Sequence, residues 1–198
     1  MGVEVKSPGS YQRFIEAYAA CCAFADAQLG RVLDALDSNP RGKETVVVLW
    51  SDHGFHLGEK DHIEKFALWE KANRIPMIVV APGVATPGSV CDAPVDLTAL
   101  YPTLLELAGL PEDKKADGYS LVPQLKNPGR KRPIPALMTY GKGNHAVRTD
   151  RWRYIRYSDG TEELYDHEVD PDEWANVASA PEHVAVLKEH REWLFRVV

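Results

Sequence analysis

The sequence is short of several features that mark whole classes of protein. Among 198 residues there are three cysteines, Cys21, Cys22 and Cys91. An odd count gives no disulfide framework, and adjacent Cys21 and Cys22 are poor partners for each other. That pair sits in an apolar helical pattern, which predicts buried structural thiols. No run approaches the roughly 18 apolar residues needed to span a bilayer. Met1 to Ser10 lack the apolar region of a signal peptide. Basic residues are outnumbered: 23 Lys and Arg stand against 29 Asp and Glu, a formal charge of −6. That balance argues against general affinity for nucleic acid or anionic membrane. The arginines at 148, 151, 153 and 156 are interleaved with aromatics but do not reverse this reading.

The remaining composition is that of an ordinary globular protein, long enough for one sizeable core or one core with an appendage. Apolar residues recur at three- and four-residue steps from Tyr11 to Leu36, which predicts a long amphipathic helix with Ser10 as N-cap. Ser38-Asn39-Pro40-Arg41-Gly42 stops it. Thr45 to Trp50 and Ile75 to Val80 read as apolar strands, with a helix near 97–109 after Asp96. This alternation predicts an α/β unit with a parallel sheet over residues 10–110. Residues 110–135 read as a connector. Short strands near 136–140, 145–149, 151–157 and 162–166 predict a small antiparallel sheet, and a helix near 181–197 closes the chain. The division expected is 1–120 and 121–198.

The most informative stretch is Ser51-Asp52-His53-Gly54-Phe55-His56-Leu57-Gly58-Glu59, with Lys65 shortly after it. A polar cluster that follows a buried strand lies where open α/β sheets place their ligands. Carboxylate is a hard ligand and neutral imidazole a borderline one, so Asp52 and His53 can share a cation. Neighbouring residues of a strand point to opposite faces, so sharing requires the chain to bend there, and Gly54 permits the bend. The loop also holds His56 and His62, which are candidate substrate contacts, as is His145 after Gly141-Lys142-Gly143-Asn144. A solvated loop histidine is the plainer reading of His56 and His62, and a turn histidine with no role is an equal reading of His145.

Ser51 to Lys60, then Lys65-Phe66-Ala67-Leu68-Trp69-Glu70, then Arg74-Ile75-Pro76 through Ala81-Pro82-Gly83, resembles the sulfatases of the alkaline-phosphatase-like superfamily. The branch is the one with iduronate-2-sulfatase-like and choline-sulfatase-like enzymes. The resemblance implies an α/β, alkaline-phosphatase-like parallel-sheet fragment with a small C-terminal antiparallel sheet and terminal helix. It implies that Asp52 and His53 are ligands of a divalent cation, calcium foremost, with magnesium or manganese as alternatives. It implies that Lys65 contacts the sulfate ester, where an ammonium would stabilise charge developing on the leaving oxygen. The substrate would be a small-molecule or glycan sulfate ester.

The family's Cys/Ser-x-Pro-x-Arg motif, whose Cys or Ser becomes formylglycine, does not occur in these residues, nor does its early Asp-Asp pair. The expectation is therefore a C-terminal portion, inactive alone, that self-associates or requires a missing N-terminal part. Two alternatives stay open: a phosphonate or phosphate ester hydrolase of the same superfamily, and a non-catalytic sulfatase-like binding module.

Overall fold

A computed structural model describes residues 8–197, with side chains for residues 9–194. The lead-in expected over residues 1–9 lies largely outside the described residues. Helix α1 (Pro8–Asp37) covers the whole periodic stretch, so Ser10 lies inside the helix rather than at its cap. Its first half packs on the loop around Phe55. Phe14 and Tyr18 pack on Phe55 at ring separations of 6.1 and 5.2 Å, and the Tyr11 hydroxyl donates to the Leu57 carbonyl. Farther along, Phe24 and Val32 are exposed, and so are Cys21 and Cys22. The expected burial of those thiols does not hold among the described residues, because a helical apolar stripe is buried only where another element covers it.

Strand β1 (Val47–Trp50) leads to β2 (His56–Leu57), β3 (Ile63–Glu64), the short helix α2 (Glu70–Asn73) and β4 (Met77–Val80). The α/β class is as expected, but these two central strands pair antiparallel, from Val47 against Val80 to Trp50 against Met77. A parallel pair requires a crossover that returns the chain to the opposite end of the sheet. Here residues 51–76 leave past Trp50 and come back beside it, so the excursion is a long hairpin. Trp50, Ile78 and Val80 remain exposed on this two-stranded sheet.

After α3 (Leu100–Leu107) and α4 (Val122–Lys126) the chain forms the expected antiparallel sheet. Its order is β5 (Ala136–Thr139), β6 (His145–Arg148), β7 (Trp152–Arg156) and β8 (Glu162–Asp166). Both faces are covered, and the period of two assigns the residues. Val147, Tyr154 and Leu164 face helix α5 (Val184–Val197) and pack on Leu187 and Leu194. Ala146, Ile155 and Tyr165 face the other way and pack on Leu68 and Trp69. The second face thus carries the segment that follows the Asp52 loop. This packing sets where that loop sits.

Candidate active site

Asp52 and His53 follow the end of β1 and both line one open cleft of about 1410 Å³. That exceeds the roughly 300–1000 Å³ of an enclosed small-molecule site, so the cleft is a trough. Asp52 is exposed, and its Oδ2 lies 3.5 Å from His53 Nε2. His53 Nδ1 is 2.7 Å from the Gly54 carbonyl, a contact in which the ring nitrogen must donate. Its Nε2 is therefore the acceptor, and Lys65 Nζ sits 2.8 Å from it. The structure brings Asp52, His53 and Lys65 together, although Lys65 approaches from β3 and is not part of the cleft wall.

Gly54 is required here for a reason other than the one its place in the sequence suggests. Its φ is not positive; instead a Cβ would meet the Lys71 carbonyl oxygen at 2.1 Å, and its N–H donates to the Ala72 carbonyl at 2.7 Å. The bend after β1 is thus pinned by close approach of α2. The loop that follows is conformationally costly. Lys60, Asp61 and Glu64 all have positive φ, a region that side chains rarely occupy outside functional segments. It is held from outside: Lys60 Nζ lies between the Trp69 and Tyr165 rings, 4.8 and 4.7 Å from their centroids, and donates to the Glu173 carbonyl.

Three candidate contacts lie elsewhere. His56 was expected to touch substrate, but pairing of β2 with β3 turns it inward, where it is fully buried. It packs edge-on against His62 and Trp69, whose rings also meet each other edge-on. His62 shares that pocket, with its Nε2 enclosed and unpaired. His145, the first residue of β6, bonds Thr139 of β5 at 2.9 Å and is not among the residues lining the cleft. Burial pushes the His56 imidazole below its ordinary value, against the opposing pull of the Glu59 carbonyl. A histidine with a lowered folded pKa costs nothing above its unfolded pKa and destabilises as pH falls below it. The midpoint of urea unfolding should therefore drop as pH falls from about 7.5 to about 5.5. His190, also lowered by burial, adds to the same trend. His56→Phe should flatten part of that slope; an unchanged slope would show that His56 is not buried neutral.

A second cluster could be mistaken for a metal centre. Ligand atoms of Glu70, His167 and Glu173 lie within 4.8 Å of one another. Arginines already occupy it. Arg153 pairs with Glu70 and places Nε 2.6 Å from Glu173 Oε1, while Arg148 Nε lies 3.5 Å from Glu70. His167 Nδ1 meets Arg148 at 3.0 Å, so its Nε2 donates to Glu173 at 2.8 Å. Burial raises the Glu70 pKa, yet Arg153 and Arg148 together hold it below the ordinary carboxylate value. Both guanidinium groups would repel a cation. The cluster is an ion-pair network that ties α2 to the C-terminal sheet.

Arg74 and Arg148 also line the cleft with Asp52 and His53, and sequence reading singled out neither as a site residue. Arg148 and Arg153 look like strand residues because their common target, Glu70, is about 80 positions away.

Two family models match the chain. One, described as Sulfatase, covers residues 3–110, and one, described as N-sulphoglucosamine sulphohydrolase, C-terminal, covers residues 58–197. A sulfatase of Formosa agariphila is 50% identical over 172 residues, which is 86% of this chain and 34% of its own length. Arylsulfatase K of Gallus gallus is 36% identical over 186 residues, 86% of this chain and 35% of its own. The solved structure of BT4656 in complex with its substrate D-glucosamine-2-N,6-O-disulfate superposes with a TM-score of 0.87 at 28% identity. That match covers 98% of this chain and 42% of the other. The chain thus spans about a third of the length of the curated relatives it matches.

Proposed function

The chain belongs to the sulfatase family, and from that premise we propose that it supplies the cation- and ester-contacting part of a sulfuric ester hydrolase. The observation that carries this reading is the convergence of Asp52, His53 and Lys65 where β1 opens into the cleft. His53 fits a cation ligand: its Nδ1 is committed to the Gly54 carbonyl, which leaves Nε2 as the lone pair facing Asp52. Asp52 adds a hard oxygen, so a divalent ion, calcium first, would be held by these two residues and by ligands beyond them. The bound ion would supply neutralisation of the sulfate oxygens. Lys65 would stand at the ester and stabilise the negative charge that grows on the leaving oxygen as the S–O bond breaks. The formylglycine nucleophile would come from outside these residues.

The proposed substrate class is a sulfate ester of a small molecule or glycan. The open trough has room for a sugar chain, and Arg74 lines it with a positive charge that an anionic glycan would meet. The test is aryl-sulfate turnover by the native protein that contains these residues. Lys65→Ala should lower kcat/KM by about 10²–10³-fold, the usual loss for one transition-state donor. Asp52→Ala should lower it with a rescue by raised calcium. Undiminished turnover in both variants would sink the assignment.

A further inference from the structure

Lys65 stands in an unusual place for a group whose only task is to touch an ester. Its Nζ is 2.8 Å from His53 Nε2, the one ring nitrogen with a lone pair to give, since Nδ1 donates to the Gly54 carbonyl. The same Nε2 lies 3.5 Å from Asp52 Oδ2. A cation bound by Asp52 and His53 must take that lone pair, and must sit close to where the Lys65 ammonium now is. We propose that Lys65 is a gate on the cation site: it occupies the His53 Nε2 lone pair when no cation is bound, and binding of the cation displaces it toward the cleft. The proposal rests on the reading of Asp52 and His53 as cation ligands.

Two physical consequences follow. An ammonium within hydrogen-bonding distance of a ligand atom opposes a divalent ion through charge repulsion and through the bond that has to break. Lys65 therefore weakens cation binding, although it sits beside the ligands. Second, the freed ammonium becomes available to an anion only once the cation has arrived. Occupancy of the metal site and readiness of Lys65 for a sulfate would then be one event. Lys65 directly follows Glu64, which has a φ of 83°, and its half-buried side chain reaches His53 with the ammonium 5.8 Å from the Phe66 ring centroid.

The experiment is calcium titration by calorimetry of the native protein that contains these residues, with wild type, Lys65→Met, Asp52→Asn and Arg74→Met compared. Manganese broadening of the His53 ring resonances in NMR serves as a local readout. Lys65→Met keeps the length of the side chain and removes its charge and donor. It should bind calcium about tenfold more tightly than wild type, close to 1.4 kcal/mol. Loss of a merely structural contact would weaken binding instead. Asp52→Asn in the Lys65→Met background should abolish the gain. Arg74 is a cation of the same cleft, so Arg74→Met should give a smaller gain. Equal gains from Lys65→Met and Arg74→Met would reduce the effect to general charge and overturn the gate. Wild-type binding that needs Asp52 but does not tighten in Lys65→Met would overturn the gate and leave the cation reading standing. No binding in wild type or in Lys65→Met, with the His53 resonances unbroadened, would overturn both.

Discussion

Aryl-sulfate turnover by the 198-residue chain itself should stay at the uncatalysed background, with calcium, magnesium or manganese added. Catalysis requires a nucleophile and its base within about 3 Å of the reacting atom. The chain has no Cys/Ser-x-Pro-x-Arg segment. Cys91 is exposed on the same cleft, but Cys91-Asp92-Ala93-Pro94-Val95 has neither the Pro spacing nor the Arg of that motif. The cation would be held by one carboxylate and one imidazole, where calcium takes about 6–8 oxygen ligands. Lys65 would weaken it further. Substrate binding in the trough can persist, but binding that is equal in ground and transition states does not accelerate a reaction. The check is release of a chromogenic phenol over hours against a buffer control. Turnover that survives Asp52→Ala and Lys65→Ala would place the site elsewhere. Turnover abolished by them would mean that a nucleophile lies within these residues after all.

The largest effect on stability should come from Glu173. Glu173 is 1% exposed and Arg153 2%, so solvent hardly screens their pair. One carboxylate oxygen of Glu173 meets Arg153 Nε at 2.6 Å and His167 Nε2 at 2.8 Å; the other accepts the Glu70 N–H at 2.8 Å. Glu173→Ala would leave Arg153 with Glu70 as its remaining carboxylate, its Nε unpaired in the interior, and would strand the Glu70 N–H at the start of α2. Breaking such a pair from one side costs about 3–5 kcal/mol, a large part of the roughly 5–15 kcal/mol that holds a domain together. Replacing both partners, as in Glu173→Gln with Arg153→Met, should recover much of the loss, because no buried charge is then left alone. Urea unfolding of the two variants checks this, and a loss under about 1 kcal/mol for Glu173→Ala would show that the pair is open to water. The damage should also reach the site. Glu70, Trp69 and Lys60 all attach the loop of 56–73 to the C-terminal sheet through this region. Amide exchange in that loop should therefore rise more than in β7.

Much of the candidate site was legible because its chemistry is local. Asp52 and His53 are adjacent, and Lys65 follows within the same loop, so a string of residues carries their association without reference to the fold. The four strands of the C-terminal sheet were legible for a similar reason: their alternation and turns have a period of two, and each pairs with its neighbour in sequence. The placement of His56 and His145 was not, because a loop histidine gives no sign of which way its backbone turns. The direction of β4 was also hidden. An apolar strand reads the same in either direction, and only the return of the 51–76 segment to Trp50 made the pair antiparallel.

By itself, then, the sequence determined the longer elements, the family resemblance and Asp52 and His53 at the mouth of the cleft, since each depends on neighbours within a few positions. Only the tertiary structure decided three other things. It set Lys65 against the free nitrogen of His53, it turned His56 into the interior, and it joined Glu70 to arginines and a glutamate about 80 and 100 residues away. The last of these joins segments with no common period, and packing Leu68 and Trp69 on the C-terminal sheet is what brings Glu70 within reach of them.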